Sequence, residues 1–270
     1  MALILANGQM RRNGNMSANL SNLQGDPRSA NGFLAALSAD DFEFVRPHLR
    51  TIELRQSDVL TLAGQPFERV YMPHSGIISV VVRLTDGERI EIAMIGHDSL
   101  LGAFSTLGDP VSLAEASVLL GGVASVLDVE RFAAAASRSA GLRAILVRHG
   151  QALFAQAQQS VACNACHAVE SRLARYLMRV RGLSGSDNFV LTQEILAEMI
   201  GARRNSVSHT ANALQKAGLI RYSRGRIEIS DVRALEESSC ECYGAVKRQY
   251  ERLLGNLDAD TQENKDAGVG

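Results

Sequence analysis

"LTQEILAEMIGARRNSVSHTANALQKAGLIRYSRGRIEI", residues 191–229, is the stretch that decides the fold. Thr192 is placed to cap a helix through "QEILAEMI", with Ile195, Leu196, Met199 and Ile200 on its buried face. Gly201 ends that helix and permits a sharp turn. A second helix runs through "RRNSVSHTANALQKA", burying Val207, Ala211 and Leu214 until Gly218 stops it. Ala197, Gly201 and Val207 thus supply a small residue where two helices cross, a glycine in the turn and an apolar pin beyond it. That spacing suits a helix-turn-helix. "IRYSRGRIEI" then reads as a two-stranded wing turning at Arg224-Gly225. Any helical hairpin shares the apolar pattern, so charge has to decide. Between Glu198 and Glu228 lie Arg203, Arg204, Lys216, Arg221, Arg224 and Arg226, and no acid. A basic helix-turn-helix with a wing is a DNA-binding module.

If the second helix enters the major groove, its first turns face the bases. Arg203, Arg204, Asn205, Ser206, Ser208 and His209 are then the candidate contacts, with Asn205 and His209 projecting from one side. Arg224 and Arg226 in the wing are candidates for the phosphate backbone.

The rest of the chain sets the context. At 270 residues, two domains are expected. The net charge is −1, so attraction to nucleic acid must come from a local patch and not from the whole molecule. The apolar start is short and precedes Arg11-Arg12, the wrong order for a signal peptide, and no apolar run is long enough to span a membrane. A cytoplasmic protein with no membrane partner is expected. Four cysteines form two close pairs, Cys163/Cys166 and Cys240/Cys242, and reduced thiols are the default.

Residues 1–32, rich in Asn, Gly and Ser, suggest a disordered arm. Apolar residues at helical spacing follow from Phe33 to Leu49, broken by Pro47, with Ser38 as a cap. From Thr51 the pattern becomes short β-branched runs: "TIELRQSDVLTLAG", "RVYMPHSGIISVVVRL" and "ERIEIAMIG", with a hairpin turn at "TDGE", residues 85–88. "ASVLLGGVASVLDVERF" adds a further pair of strands around Gly121-Gly122. These predict a compact antiparallel barrel or sandwich over 33–139. A helix follows over 140–166. Leu142, Leu146, His149 and Leu153 recur along it and suggest a dimer seam that weakens at Gln156 and Ser160; a single helix packed on the β domain fits the spacing equally well. "HAVESRLARYLMRVRGL" is a further amphipathic helix, opening a helix-turn-helix unit at 167–235, and 236–270 predicts a helix and polar tail. The fold class is α+β.

From about Phe33 to Ile229 the chain resembles the Crp–Fnr family of bacterial transcription regulators. "RVYMPHSGIISVVVRLTDGERIEIAMIG" is similar to that family's β-roll hairpins, and residues 191–229 to its DNA-binding signature. The resemblance implies a cyclic-nucleotide-binding-like β-roll, a long dimerisation helix and a C-terminal winged helix-turn-helix. It implies a homodimer on a two-fold operator in double-stranded DNA, RNA polymerase as a further partner, and a sensory event in the roll that repositions the recognition helices. By family position Arg204 matches an arginine that contacts guanine. Asn205 stands where the best-known members carry glutamate and His209 where they carry arginine, so the preferred half-site differs from theirs.

Members that bind cyclic AMP hold its phosphate with an Arg-Ser pair. The matching stretch here, "GHDSLLGAFSTLGDPVSLAEASV", lies in a segment without arginine or lysine between Arg89 and Arg131, so cyclic-nucleotide binding is not expected and the effector is unknown. His97, Asp98 and Ser99 are the polar candidates in this loop, read first as solvated turn residues. The family's iron–sulfur members use an N-terminal cysteine cluster, and residues 1–32 contain no cysteine. "CNACH", residues 163–167, matches a haem-attachment pattern, read as coincidence in a chain without an export signal. Four thiols are a valid ligand count for a metal, but a C-x-C pair within a helix diverges, so neither metal nor cofactor is expected. The six histidines are scattered with no catalytic spacing, so an enzyme is not expected. A signalling adaptor whose winged helix binds protein is the alternative to a regulator; the basic run Arg203–Arg226 disfavours it, because protein interfaces are usually depleted in lysine.

Overall fold

The computed structural model describes residues 27–255, an α+β chain. Three short helices lead in: α1 (Pro27–Ala30), α2 (Gly32–Ala35) and α3 (Ala39–Val45), the last capped by Ser38 Oγ accepting from the Asp41 N–H at 3.1 Å. Residues 27–32 correct the disordered-arm expectation. Asn31 is buried, accepts from the N–H groups of Phe33 and Leu34, and donates to the Pro73 and Ser99 carbonyls, both at 2.9 Å. A side chain that satisfies four backbone groups seats Phe33 and Leu34 in the core. The rest of the arm, residues 1–26, and the polar tail from Asn256 lie outside the described residues.

The roll comprises β1 (Arg50–Leu54), β2 (Val59–Thr61), β3 (Arg69–Arg83), β4 (Arg89–Ile95) and β5 (Glu115–Asp128), in the order β1-β5-β3-β4 with β2 also on β5, all antiparallel. The β3–β4 hairpin turns at residues 85–88, with Gly87 at φ 92°. Gly121-Gly122 does not separate two strands: β5 runs through it unbroken. A Cβ on Gly122 would stand 2.3 Å from the Ser75 carbonyl oxygen, and Gly76 opposite has φ 79°. Glycine is needed there because the β3 and β5 backbones cross at a bend, where their register shifts.

Helices α4 (Val129–Arg138) and α5 (Ala140–Cys166) follow. The sequence places Leu142, Leu146, His149 and Leu153 on a dimer seam; the structure turns them inward. Leu142 and Leu146 pack with Phe33, Val70 and Phe132, His149 is fully buried, and Leu153 packs against the strand core. The physical reason is that the roll leaves an apolar face open, and this stripe closes it. A second face of α5 exposes Val147 (52%), Phe154 (63%) and Val161 (68%), each seven residues from the next.

The remainder is α6 (Val169–Ser184), β6 (Asn188–Val190), α7 (Gln193–Met199), α8 (Arg204–Lys216), β7 (Ile220–Ser223), β8 (Arg226–Ile229), α9 (Val232–Glu237) and α10 (Cys242–Leu254). One core joins Leu177, Leu196, Val207 and Ile227 of this half to Ile77 and Met94 of the roll. Helix α10 packs across α5 through Val246, Tyr250 and Leu253 around Ala152. The expectation that Cys240 and Cys242 diverge on one helix is also corrected. Cys240 lies in the loop before α10, Cys242 is the first residue of that helix, and both turn inward. Cys163 is buried whereas Cys166 is exposed, so the two thiols of "CNACH" face different surroundings and do not present one haem edge. Among the described residues no helix is long and apolar enough to cross a membrane.

Candidate nucleic-acid interface

Helix α7 starts at Thr192, whose Oγ1 accepts from the Ile195 N–H at 3.2 Å, and ends at Gly201, whose φ of 59° turns the chain. Helix α8 buries Val207, Ala211 and Leu214, as its spacing predicts, together with Thr210. Pinning that face against α6 and α7 forces the opposite face to solvent. Arg203, Arg204, Asn205 and His209 are exposed on it, while Ser206 and Ser208 are half-buried at its margins.

Each candidate has a definite setting. Arg203 occupies the cap position of α8 and its side chain makes no capping bond, so the first-turn N–H groups face outward beside a guanidinium. Such an end attracts a phosphate. Arg204 Nη1 pairs with Glu194 Oε1 at 2.8 Å, but both groups are about two-thirds exposed, and such a pair is worth at most about 1 kcal/mol. It is a resting contact that a nucleic acid can displace. Ser208 is engaged within the protein, with Oγ bonded to Gln193 Oε1 and to the Arg204 carbonyl at 3.0 Å. It ties α7 to α8 more than it offers itself to a base.

The wing has three strands where the sequence suggests two, because β6 joins β8 on the side away from β7. The three-residue run at 188–190 is too short to read as a strand by period. Ser223 pairs with Arg226, and the two residues between them, Arg224 (φ 50°) and Gly225 (φ 79°), both take left-handed conformations. This is the tight hairpin turn whose twist matches the flanking strands. It puts Arg224 at the tip with Arg226 just below. The Leu191 N–H donates to the Gly225 carbonyl at 2.8 Å, the Tyr222 hydroxyl to the Leu191 carbonyl at 3.1 Å, and the Tyr222 N–H to Gln215 Oε1 at 2.7 Å. The wing is therefore fixed to α8. Among the described residues, no ion pair forms to Arg203, Arg224 or Arg226.

On the roll, the loop residues read as solvated correct that expectation. Asp98 and Ser99 are buried, and His97 is half-buried. Asp98 Oδ2 accepts from Arg179 Nη2 of α6 at 2.7 Å, and Ser99 Oγ lies 2.7 Å from His149 Nε2. The Leu100 N–H also donates to that nitrogen, at 3.1 Å, and burial holds the imidazole down at about 4, so His149 is neutral. Two links to the helix-turn-helix were not legible in the sequence. Arg89 of β4 bridges Glu115 Oε1 at 2.6 Å and Glu198 Oε2 of α7 at 3.0 Å, and Arg83 adds a second bond to Glu115 at 2.8 Å. Buried Arg172 donates to the Asn164 carbonyl at the end of α5 and to the Ile200 carbonyl at the end of α7, at 3.2 and 3.0 Å. Arg172 is one of four arginines on α6, with Arg175, Arg179 and Arg181, so nothing in the sequence singled it out for the second.

An antiparallel roll, joined through helices to a winged helix-turn-helix with its basic face outward, is the architecture of a one-component transcription regulator. Residues 51–139 match the cyclic nucleotide-binding domain family and residues 171–238 the Crp-like helix-turn-helix domain, together more than half of the chain. The chain belongs to the Crp–Fnr family of transcription regulators, whose fold is not that of an enzyme. No curated relative matches it in sequence. Similar solved structures include a Crp/Fnr-family regulator from Eubacterium rectale, 15% identical over 77% of this chain and 97% of that one, with TM-score 0.62. FixK2 from Bradyrhizobium japonicum is 16% identical over 71% of this chain and 98% of its own, with TM-score 0.61. The c-di-GMP-responsive global regulator CLP of Xanthomonas campestris is 14% identical over 72% and 100%, with TM-score 0.59.

Proposed function

We propose that the protein is a homodimeric, sequence-specific DNA-binding regulator that reads a two-fold operator with paired α8 helices. The observation that carries this is the division of α8 into a pinned apolar face and an exposed face bearing Arg203, Arg204, Asn205 and His209, flanked by the wing arginines. Arg204 and Asn205 are assigned to base edges, and Arg203, Arg224 and Arg226 to phosphates. The exposed Val147, Phe154 and Val161 stripe supplies the seam between two copies. The roll carries the sensory event, and the Arg89–Glu198 pair is its most direct link to α7. Its signal is not cyclic AMP, because the segment corresponding to the phosphate cassette brings no cation. RNA polymerase is the further partner that action at a promoter requires.

Selection from random duplex DNA tests this reading. Enriched sites should be inverted repeats with half-site centres about one helical turn, roughly 34 Å, or a multiple of it apart. Enrichment of asymmetric single sites would remove the dimer, and no enrichment would favour a protein-binding adaptor.

A further inference from the structure

The geometry points to a structural zinc site of the Cys3His type formed by Cys163, His167, Cys240 and Cys242, clamping the end of α5 to the start of α10. The four donor atoms lie within 4.8 Å of one another. Cys163 Sγ is 3.4 Å from Cys240 Sγ, and Cys242 Sγ is 3.5 Å from His167 Nδ1. An ion with Zn–S near 2.3 Å and Zn–N near 2.0 Å holds tetrahedral donors about 3.4–3.8 Å apart, so a small contraction of the cluster completes the sphere. Sulfurs this close leave room for one ion and not for a multi-iron cluster.

Local structure explains why these four meet. Cys163 and His167 are four apart across the last turn and cap of α5, and the His167 N–H donates to the Cys163 carbonyl at 3.0 Å, so both face one way. The loop after α9 carries Cys240 into the same space, and its turn starts α10 with Cys242. All three sulfurs are buried, while the fourth cysteine, Cys166, is exposed and outside the cluster.

The surroundings are those of a ligand set. His167 Nε2 lies 3.2 Å from Glu241 Oε1, which leaves Nδ1 facing the sulfurs. A carboxylate on the far nitrogen of a ligating imidazole fixes its tautomer and orientation. Gln159 Nε2 donates to Cys242 Sγ at 3.0 Å, a contact that favours a thiolate. Burial pushes the Cys163 thiol up to about 12 against a weaker downward pull from the Arg175 guanidinium, so it takes a bound cation to make it a thiolate. On binding, three thiol protons pass to solvent, three thiolates and a neutral imidazole surround the dication, and the residual single negative charge is met by Arg175. Packing alone asks for none of this: a buried apolar contact needs neither a carboxylate-oriented histidine nor an amide aimed at sulfur.

The test titrates the reduced, metal-free, full-length chain with Co2+, then displaces it with Zn2+. One equivalent per chain should give the intense visible bands of tetrahedral cobalt with thiolate charge transfer, and Zn2+ should bleach them. Cys240→Ser should lose the bands or weaken the thiolate charge transfer and shift the visible bands to the blue, His167→Ala should lose or shift them, and Cys166→Ser should keep them unchanged. The wild-type chain is itself the first arm, so no variant has to fold for the proposal to fail. No stoichiometric cobalt spectrum, loss of the spectrum in Cys166→Ser, isolation with iron and sulfide, or a Cys163–Cys240 disulfide persisting under reducing conditions would overturn it.

Discussion

Glu91 is a carboxyl inside the protein, on β4, with Ser79 Oγ donating to its Oε2 at 2.5 Å and Arg175, Tyr176 and Arg179 of α6 beside it. Burial pushes it up to about 8, against the pull of Ser79 and the two arginines, from an ordinary value of 4.5. Between those values the folded chain keeps a proton that the unfolded chain has released, so stability falls as pH rises through that window. His149 works in the other direction. Its imidazole is held at about 4 instead of 6.5, so its contribution is lost as pH falls across that range. From pH 6.5 to 8 Glu91 acts without His149. Unfolding by urea should show stability falling over that interval, with a slope of at most about 1.4 kcal/mol per pH unit, and Glu91→Gln should remove most of it. Equal slopes in both proteins would contradict the assignment. Residues of this kind were not legible beforehand. Glu91 alternates with apolar neighbours like any outward strand residue, and Asp98 reads as a turn residue until α6 brings Arg179 to it. Arg204, Asn205 and His209 were legible as an exposed face, because the buried positions of α8 are set by its own period.

Helix α5 shows where reading an element from sequence stops. It carries two apolar stripes, and spacing alone does not say which one the chain covers itself. The leucine stripe closes the roll, and the sparser stripe of Val147, Phe154 and Val161 is left outside. The two faces make opposite predictions. Phe154→Glu with Val161→Glu should yield a folded monomer with steeply weakened operator binding, because each site then holds one half-site reader. Leu146→Ala should keep the dimer while it folds but lose about 2–5 kcal/mol of stability, the usual cost of emptying a core position. Sedimentation velocity and thermal unfolding separate them. A dimeric double glutamate variant, or a stable monomeric Leu146→Ala, would return the seam to the leucine face. The helix-turn-helix was readable to within a residue or so because caps, glycines and buried period all agree there. The third wing strand was not, since only its pairing with β8 identifies it.

At the scale of the whole molecule, the roll and the winged helix-turn-helix half share one core in this conformation, and the Glu115–Arg89–Glu198 bridge spans their junction. The outer face of α8 is nonetheless open, with its arginines exposed, and the proposed assignment gives reading to α8 and anchoring to the wing. The most direct measurement is a binding titration over an operator library at two salt concentrations, for the wild type, Arg204→Ala, Asn205→Ala and Arg226→Ala. Arg204→Ala and Asn205→Ala should each cost about 1–3 kcal/mol of discrimination at one base pair per half-site. Arg226→Ala should weaken all sequences alike and flatten the salt dependence, as a lost phosphate contact does. An unchanged base preference in Asn205→Ala, together with an altered one in Arg226→Ala, would contradict the account.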